Sequence, residues 1–195
     1  MNDPSQTFGY RFGRAVTRRA ILGTAALFGV TALAGAAGAG PAEPFSFPSI
    51  DGGTLSLGDW AGRPVLVVNT ASRCAFTPQY DALQALYDIY RDRGLVVLAV
   101  PSNDFRQELA SEAEVRAFCE VNFGLDLPMT EILSVRGRDA HPFYRWMDEV
   151  HGFRPRWNFN KVLLGPDGAP VATFGSQTKP TAREVTARIE AMLGA

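Results

Sequence analysis

Cys74 stands where a cysteine thiol can be converted into a reactive thiolate. It follows the apolar run 65–68, which predicts a buried strand, and it precedes a helix that we predict to begin at Thr77 and Pro78. Free backbone N–H groups and the positive end of the dipole stabilise an anion at a helix N-terminus, and they lower the pKa of a thiol placed there. A free cysteine can also be a small buried hydrophobe. Placement alone therefore leaves both a reactive and a structural cysteine open.

Polar side chains that could support a thiolate follow at two later points of the chain. Gln107 lies in the segment 101–108, at the C-terminal end of the next predicted strand, where open α/β sheets form their sites. Trp157 and Asn158 enter a late predicted hairpin. An indole N–H and uncharged amides that converge on a thiolate would hydrogen-bond the anion and lower its pKa. Taken singly, a residue like Trp157 is more often a core aromatic, and one like Gln107 is more often a solvated loop residue.

The composition excludes several classes of site. The chain has two cysteines and two histidines, too few for a structural zinc site or a framework of several disulfides. We expect His141 and His151 to be surface or helix-end residues, and we expect no cofactor or metal site. The formal net charge is -1, and no basic stripe indicates a nucleic-acid partner.

The first 42 residues have the pattern of an export signal. A basic start ends at Arg18 and Arg19, and an uncharged Ala- and Gly-rich stretch follows from 20 to about 40. Because the two arginines resemble a twin-arginine motif, we predict a signal peptide at 1–42 and an exported, periplasmic domain at 43–195. The stretch is long enough for a membrane anchor, but its alanines and glycines would make a poor one. Removal of four of the 19 basic and one of the 20 acidic residues leaves a net charge of -4, which argues against membrane association after processing.

The rest of the chain predicts alternating strands and helices. Predicted strands cover 45–47, 54–57, 65–69, 95–100, 161–164 and 171–174, and predicted helices cover 78–93, 112–123, 141–150 and a last segment after Thr181. Thr77, Ser111 and Thr181 are predicted N-caps, the last two with a glutamate three residues later. A strand, a helix and a strand make a right-handed unit with parallel strands, and the late strands form an antiparallel hairpin. This order predicts an α/β, thioredoxin-like fold, with a central mixed β-sheet flanked by helices on both faces.

Three stretches resemble the cysteine-type (non-selenium) glutathione peroxidases in order and spacing: NTASRCAFTPQY, VPSNDFRQE and WNFNKVLLGPDG. The resemblance covers essentially all of residues 44–195. It implies that Cys74 is the peroxidatic cysteine, where some relatives carry selenocysteine. It also implies that Gln107, Trp157 and Asn158 complete the catalytic tetrad of the family.

The resemblance implies a thiol-dependent reduction of hydrogen peroxide and organic hydroperoxides. The Cys74 thiolate becomes a sulfenic acid, which a thiol then reduces through a disulfide. Glutathione or a thioredoxin-like protein is the expected reductant, and many bacterial relatives use an internal resolving cysteine. Cys119 is the internal candidate, although Val115 and Phe118 share its helical face and make it equally a core residue.

The chain departs from the family in two places. The family commonly reads Asn-Gln-Phe-Gly-x-Gln-Glu-Pro in the second stretch, whereas this chain has one residue fewer, with Asp104 for glutamine and Leu109 for proline. The segment between Val150 and Trp157 lacks the loop with which tetrameric relatives assemble, so we expect a monomer or a weak dimer.

Two other functions fit an exported thiol. A thiol-disulfide oxidoreductase normally uses Cys-x-x-Cys, but Thr77 occupies the second cysteine position here. A thiol-based redox sensor would pass its oxidation to a partner. Catalytic consumption of peroxide distinguishes the peroxidase from the sensor.

Overall fold

The computed structural model describes residues 45–194, so the predicted signal peptide lies outside the described residues. The strands of this part are β1 (Ser46–Pro48), β2 (Thr54–Ser56), β3 (Val65–Thr70), β4 (Val96–Pro101), β5 (Lys161–Leu164) and β6 (Pro170–Phe174). The helices are α1 (Gln79–Tyr90), α2 (Glu112–Phe123), α3 (Pro142–His151) and α4 (Arg183–Met192). Within residues 45–194 no helix has the length and apolar character that crossing a membrane requires.

The central sheet has the strand order β4-β3-β5-β6. Strands β3 and β4 are parallel, as the intervening helix α1 requires, while β5 is antiparallel to both β3 and β6. Strands β1 and β2 form a separate small hairpin. The predicted thioredoxin-like architecture is therefore confirmed.

Both faces of the central sheet are covered. On one face Val67 and Leu98 contact the apolar side of α3 through residues such as Phe143. On the other face Leu66 belongs to a core shared with α1, α2 and α4, which includes Leu83. Burial on both faces explains why residues 65–68 of β3 and 96–100 of β4 are continuously apolar and do not alternate with polar residues.

The helix boundaries follow the side chains that cap them. Helix α2 has the predicted bounds, because Ser111 and Glu114 form a complete capping box. Helix α1 is shorter than predicted: it begins at Gln79 without a side-chain cap, and a 3₁₀ turn at Arg91–Arg93 leads to Gly94 with a φ of 112°.

Two predicted N-caps are wrong. Helix α4 begins after Ala182 with no capping side chain, so Thr181 does not cap it. Thr77 does not cap α1 because its hydroxyl is already used by the loop that carries Cys74.

Candidate active site

Cys74 lies in a tight loop between β3 and α1. The Thr77 hydroxyl closes this loop: it accepts a hydrogen bond from the Cys74 N–H at 2.9 Å and donates to the Ala71 carbonyl at 2.9 Å. The Thr77 N–H in turn donates to the Cys74 carbonyl at 3.0 Å. The thiol is only 6% exposed, and its position is fixed by backbone contacts on both sides.

A backbone N–H group reaches the Cys74 sulfur, but it does not come from the helix itself. Helix α1 begins five residues later, at Gln79, so the thiol is outside the first turn. The Phe76 N–H, in the turn that leads into the helix, donates to Sγ at 3.4 Å. The Cys74 sulfur therefore lies beside a backbone donor of the preceding turn and not at the N-terminus of the helix itself.

The segment after β4 is joined to the Cys74 loop. The Arg73 N–H donates to the Gln107 carbonyl at 2.8 Å, and the Ser72 N–H donates to Oε1 of Glu108 at 3.0 Å. Burial raises the pKa of the Glu108 carboxyl, while its hydrogen bonds from Ser72 and Leu109 oppose that shift. Glu108 therefore supports the Cys74 loop, a role that the sequence analysis did not assign.

This segment is one residue shorter than the family pattern, and the chain makes a tight turn at Arg106. Its φ is 58°, a left-handed conformation in which an arginine is strained, where the family pattern has glycine nearby. Asp104, which replaces a glutamine, accepts hydrogen bonds from the N–H groups of Val135 and Arg136 at 2.6 and 3.0 Å. These contacts hold the shortened segment so that Gln107 still faces the third stretch.

The third stretch brings Asn158 and Trp157 to the same region. Asn158 is fully buried, and its Nδ2 donates to Oε1 of Gln107 at 2.9 Å. The Trp157 ring lies against Phe105 with a centroid distance of 5.3 Å, and its side chain remains partly open to solvent, with 41% exposed. Gln107, Trp157 and Asn158 thus lie together beside the Cys74 loop.

These three side chains make no hydrogen bond to the Cys74 sulfur. In the part of the chain that the structure describes, the hydrogen bond to Sγ comes from Phe76. The structure therefore shows the predicted residues assembled around the loop, with the polar contact made between Gln107 and Asn158.

Cys119 has a different environment. It lies in α2, 2% exposed, as a free thiol in the same apolar core as Cys74. Burial raises the pKa of Cys119 to about 11, although the nearby Tyr80 hydroxyl lowers it in part. At neutral pH this residue is a thiol and a poor nucleophile.

Comparison with known proteins shows which family this chain resembles over most of its length. A family model described as glutathione peroxidase matches residues 43–148. A glutathione peroxidase of Lactococcus lactis subsp. cremoris is 39% identical over 145 residues, which are 72% of this chain and 92% of the relative. The hydroperoxy fatty acid reductase gpx1 of Synechocystis is 39% identical over 160 residues, 76% of this chain and 94% of the relative. A crystal structure described as Trgpx in its apo form has a TM-score of 0.60 at 32% identity and covers 77% of this chain and 93% of its own.

We predict that Thr77→Val destabilises the protein and slows the reaction of Cys74 with peroxide. Valine keeps the shape of threonine but leaves the Cys74 N–H and the Ala71 carbonyl without their partner. The free energy of unfolding should fall by about 1–3 kcal/mol, as measured by chemical denaturation. Thr77→Ser keeps the hydroxyl and serves as the matched control. Equal stability of the valine variant and the wild type would show that this hydroxyl does not hold the loop.

Proposed function

The chain belongs to the glutathione peroxidase family and is a peroxidase, and from this premise we propose that Cys74 is the residue that the peroxide oxidises. The observation that carries the assignment is the Cys74 loop itself, where an N–H group points at the sulfur and the Gln107–Asn158 pair lies alongside. Burial raises the pKa of Cys119, and the nearby Tyr80 hydroxyl offsets this only in part. Cys74, held in its loop beside the Phe76 N–H, is therefore the better placed of the two cysteines to react with peroxide.

The proposed oxidation is a two-electron transfer. The Cys74 sulfur attacks one peroxide oxygen, an S–O bond forms, and the O–O bond breaks. The departing oxygen takes a proton and leaves as water or an alcohol, and the cysteine is left as a sulfenic acid. A reducing thiol then forms an S–S bond as the sulfenic oxygen leaves as water, and a second thiol exchanges with that disulfide and restores Cys74.

We propose that Gln107, Trp157 and Asn158 assist the oxidation step. The indole N–H and the amide groups can donate to the thiolate and to the departing oxygen, where negative charge develops. The hydrogen bond between Gln107 and Asn158 and the packing of Trp157 on Phe105 hold these side chains in place before the peroxide arrives. A preorganised donor of this kind typically contributes on the order of 10²–10³ in rate.

Hydrogen peroxide and organic hydroperoxides are the proposed substrates. The Trp157 side chain is 41% exposed, so this side of the site is open to solvent and to peroxides of different size. The Synechocystis relative is named a hydroperoxy fatty acid reductase, which supports this range.

We predict that Cys74→Ser abolishes peroxide consumption and leaves the fold intact, because it removes the nucleophile and almost no volume. The assay follows hydrogen peroxide with either glutathione or a thioredoxin system as the only reductant. The reductant that supports the faster reaction of the wild-type protein is taken as the physiological type. Turnover that survives in the serine variant would refute the assignment, and stoichiometric oxidation without turnover in the wild type would instead favour the redox sensor.

We propose Cys119 as the residue that resolves the Cys74 sulfenic acid, because it is the second of only two cysteines. A disulfide needs Cα atoms within about 7 Å, and Cys119 is held in the buried face of α2. The helix must therefore open locally before the two residues can react.

One equivalent of peroxide added to the reduced protein should give a Cys74–Cys119 crosslink in peptide maps. Cys119→Ala should then accumulate the sulfenic acid and lose turnover with a thioredoxin system. A fully active Cys119→Ala variant would make Cys119 a core residue and leave an external thiol to resolve the sulfenic acid.

We further propose that the protein is exported to the periplasm by the twin-arginine route and acts there against oxidative stress as a monomer or weak dimer. Replacement of Arg18 and Arg19 by lysine should block export and leave full-length protein in the cytoplasm. Fractionation of cells that express each form is the measurement. Efficient export of the Lys-Lys form would indicate the general secretory route.

A further inference from the structure

Lys161 is a buried cation with uncharged partners. It is the first residue of β5, and its side chain is fully buried. Its Nζ donates to Oε1 of Gln79 at 2.9 Å and to the Phe159 carbonyl at 2.7 Å. None of the salt bridges formed within residues 45–194 involves Lys161.

Burial of this ammonium opposes folding. Desolvation disfavours the charged form and lowers the pKa of Lys161 to about 7. A buried amine without a carboxylate partner is costly inside a protein unless hydrogen bonds satisfy it, and its bonds to Gln79 and Phe159 do so here.

One of the two bonds holds a strained peptide of the third stretch. Phe159 has a φ of 62°, a left-handed conformation that is unfavourable for an aromatic residue. Its N–H donates to the Asn69 carbonyl at 2.6 Å, and its own carbonyl accepts from Lys161 at 2.7 Å. The peptide units on both sides of Phe159 are thus fixed, and with them the two preceding residues, Trp157 and Asn158.

The other bond leads to the helix that follows Cys74. Gln79 is the first residue of α1, and its N–H donates to the Phe76 carbonyl at 2.8 Å, next to the N–H group that contacts the Cys74 sulfur. The Gln79 side chain also donates to the Ser176 carbonyl at 2.6 Å, while the Ser176 hydroxyl donates to the Asn158 carbonyl at 2.6 Å. A single ammonium therefore joins the Cys74 turn to the stretch that carries Asn158.

We propose that Lys161 is a positioning residue of the peroxidase reaction, which fixes the Trp157–Asn158 segment relative to the Cys74 turn through its bonds to Phe159 and Gln79. It touches neither the thiol nor the peroxide. This inference rests on the proposed role of Cys74, because it concerns the geometry of the same site.

The test is Lys161→Met, which keeps the length of the stem and removes the ammonium. Lys179→Met is the matched control, because Lys179 is exposed and is the only other lysine of the chain. The purified proteins are reduced, mixed with hydrogen peroxide and quenched, and the oxidation of Cys74 is followed by mass spectrometry of its peptide. We expect the oxidation rate constant to fall at least tenfold in Lys161→Met and to stay unchanged in Lys179→Met.

Two further readouts separate positioning from a loss of stability alone. The pH midpoint of Cys74 alkylation should move upward in Lys161→Met, because Gln79 would no longer be held beside the turn whose Phe76 N–H contacts the sulfur, whereas the later reduction of the oxidised enzyme should keep its rate. A lower melting temperature with an unchanged oxidation rate and an unchanged alkylation midpoint would overturn the inference. If the methionine variant does not fold, Lys161→Leu, which is shorter and also lacks a donor, carries the same test with the same outcomes.

The experiment also separates this inference from the assignment of Cys74. A wild-type oxidation rate in Lys161→Met, together with an inactive Cys74→Ser, overturns only the role of Lys161. Activity in Cys74→Ser would instead refute the proposed function.

Discussion

Asn69 uses all four of its hydrogen-bonding groups on one short segment. Its backbone N–H donates to the Asn160 carbonyl and its carbonyl accepts from the Phe159 N–H, at 3.2 and 2.6 Å. Its side-chain Nδ2 donates to the Trp157 carbonyl and its Oδ1 accepts from the Asn160 N–H, at 3.0 and 3.1 Å. Asn69 lies near the end of β3, five residues before Cys74. This one residue therefore joins the stretch that begins at Trp157 to the strand that leads to Cys74. The order of the strands makes the arrangement possible: parallel β3 and β4 end at the same edge of the sheet, and antiparallel β5 begins there.

The sequence predicts correctly those parts of the structure that neighbouring residues in the chain determine. Helix α2 has its predicted bounds because Ser111 and Glu114 bond each other's backbone within one turn. Thr77 carries the same kind of hydroxyl just before a helix, yet this hydroxyl closes the Cys74 loop. Whether a threonine caps a helix or holds a loop depends on which backbone groups face it, and this is decided by the three-dimensional path of the chain.

The supporting residues of the site were harder to predict for the same reason. The resemblance to a family predicts the roles of Cys74, Gln107, Trp157 and Asn158, while Glu108 and Lys161 carry no separate signal in the sequence. A lysine at the start of an apolar strand is usually the exposed end of that strand, and only the packed structure shows that its ammonium turns inward to Gln79 and Phe159. A family motif identifies residues that occur together, but it does not tell a group that meets the substrate from one that holds its neighbours.

The core beneath the site constrains any reaction between the two cysteines. Tyr80 is fully buried, and its ring lies against Phe159 of the third stretch and Phe123 of α2, with centroid distances of 5.4 and 5.2 Å. Helix α2 is capped at its start by Ser111 and ends at Gly124 in a left-handed conformation, so release of Cys119 requires the opening of a well-terminated helix. That opening would also withdraw Phe123 from Tyr80 and remove one side of the support for Phe159. Exposure of Cys119 and loosening of the Trp157–Asn158 segment would therefore occur together, which would make the site less able to accept a second peroxide while the first oxidation is being resolved.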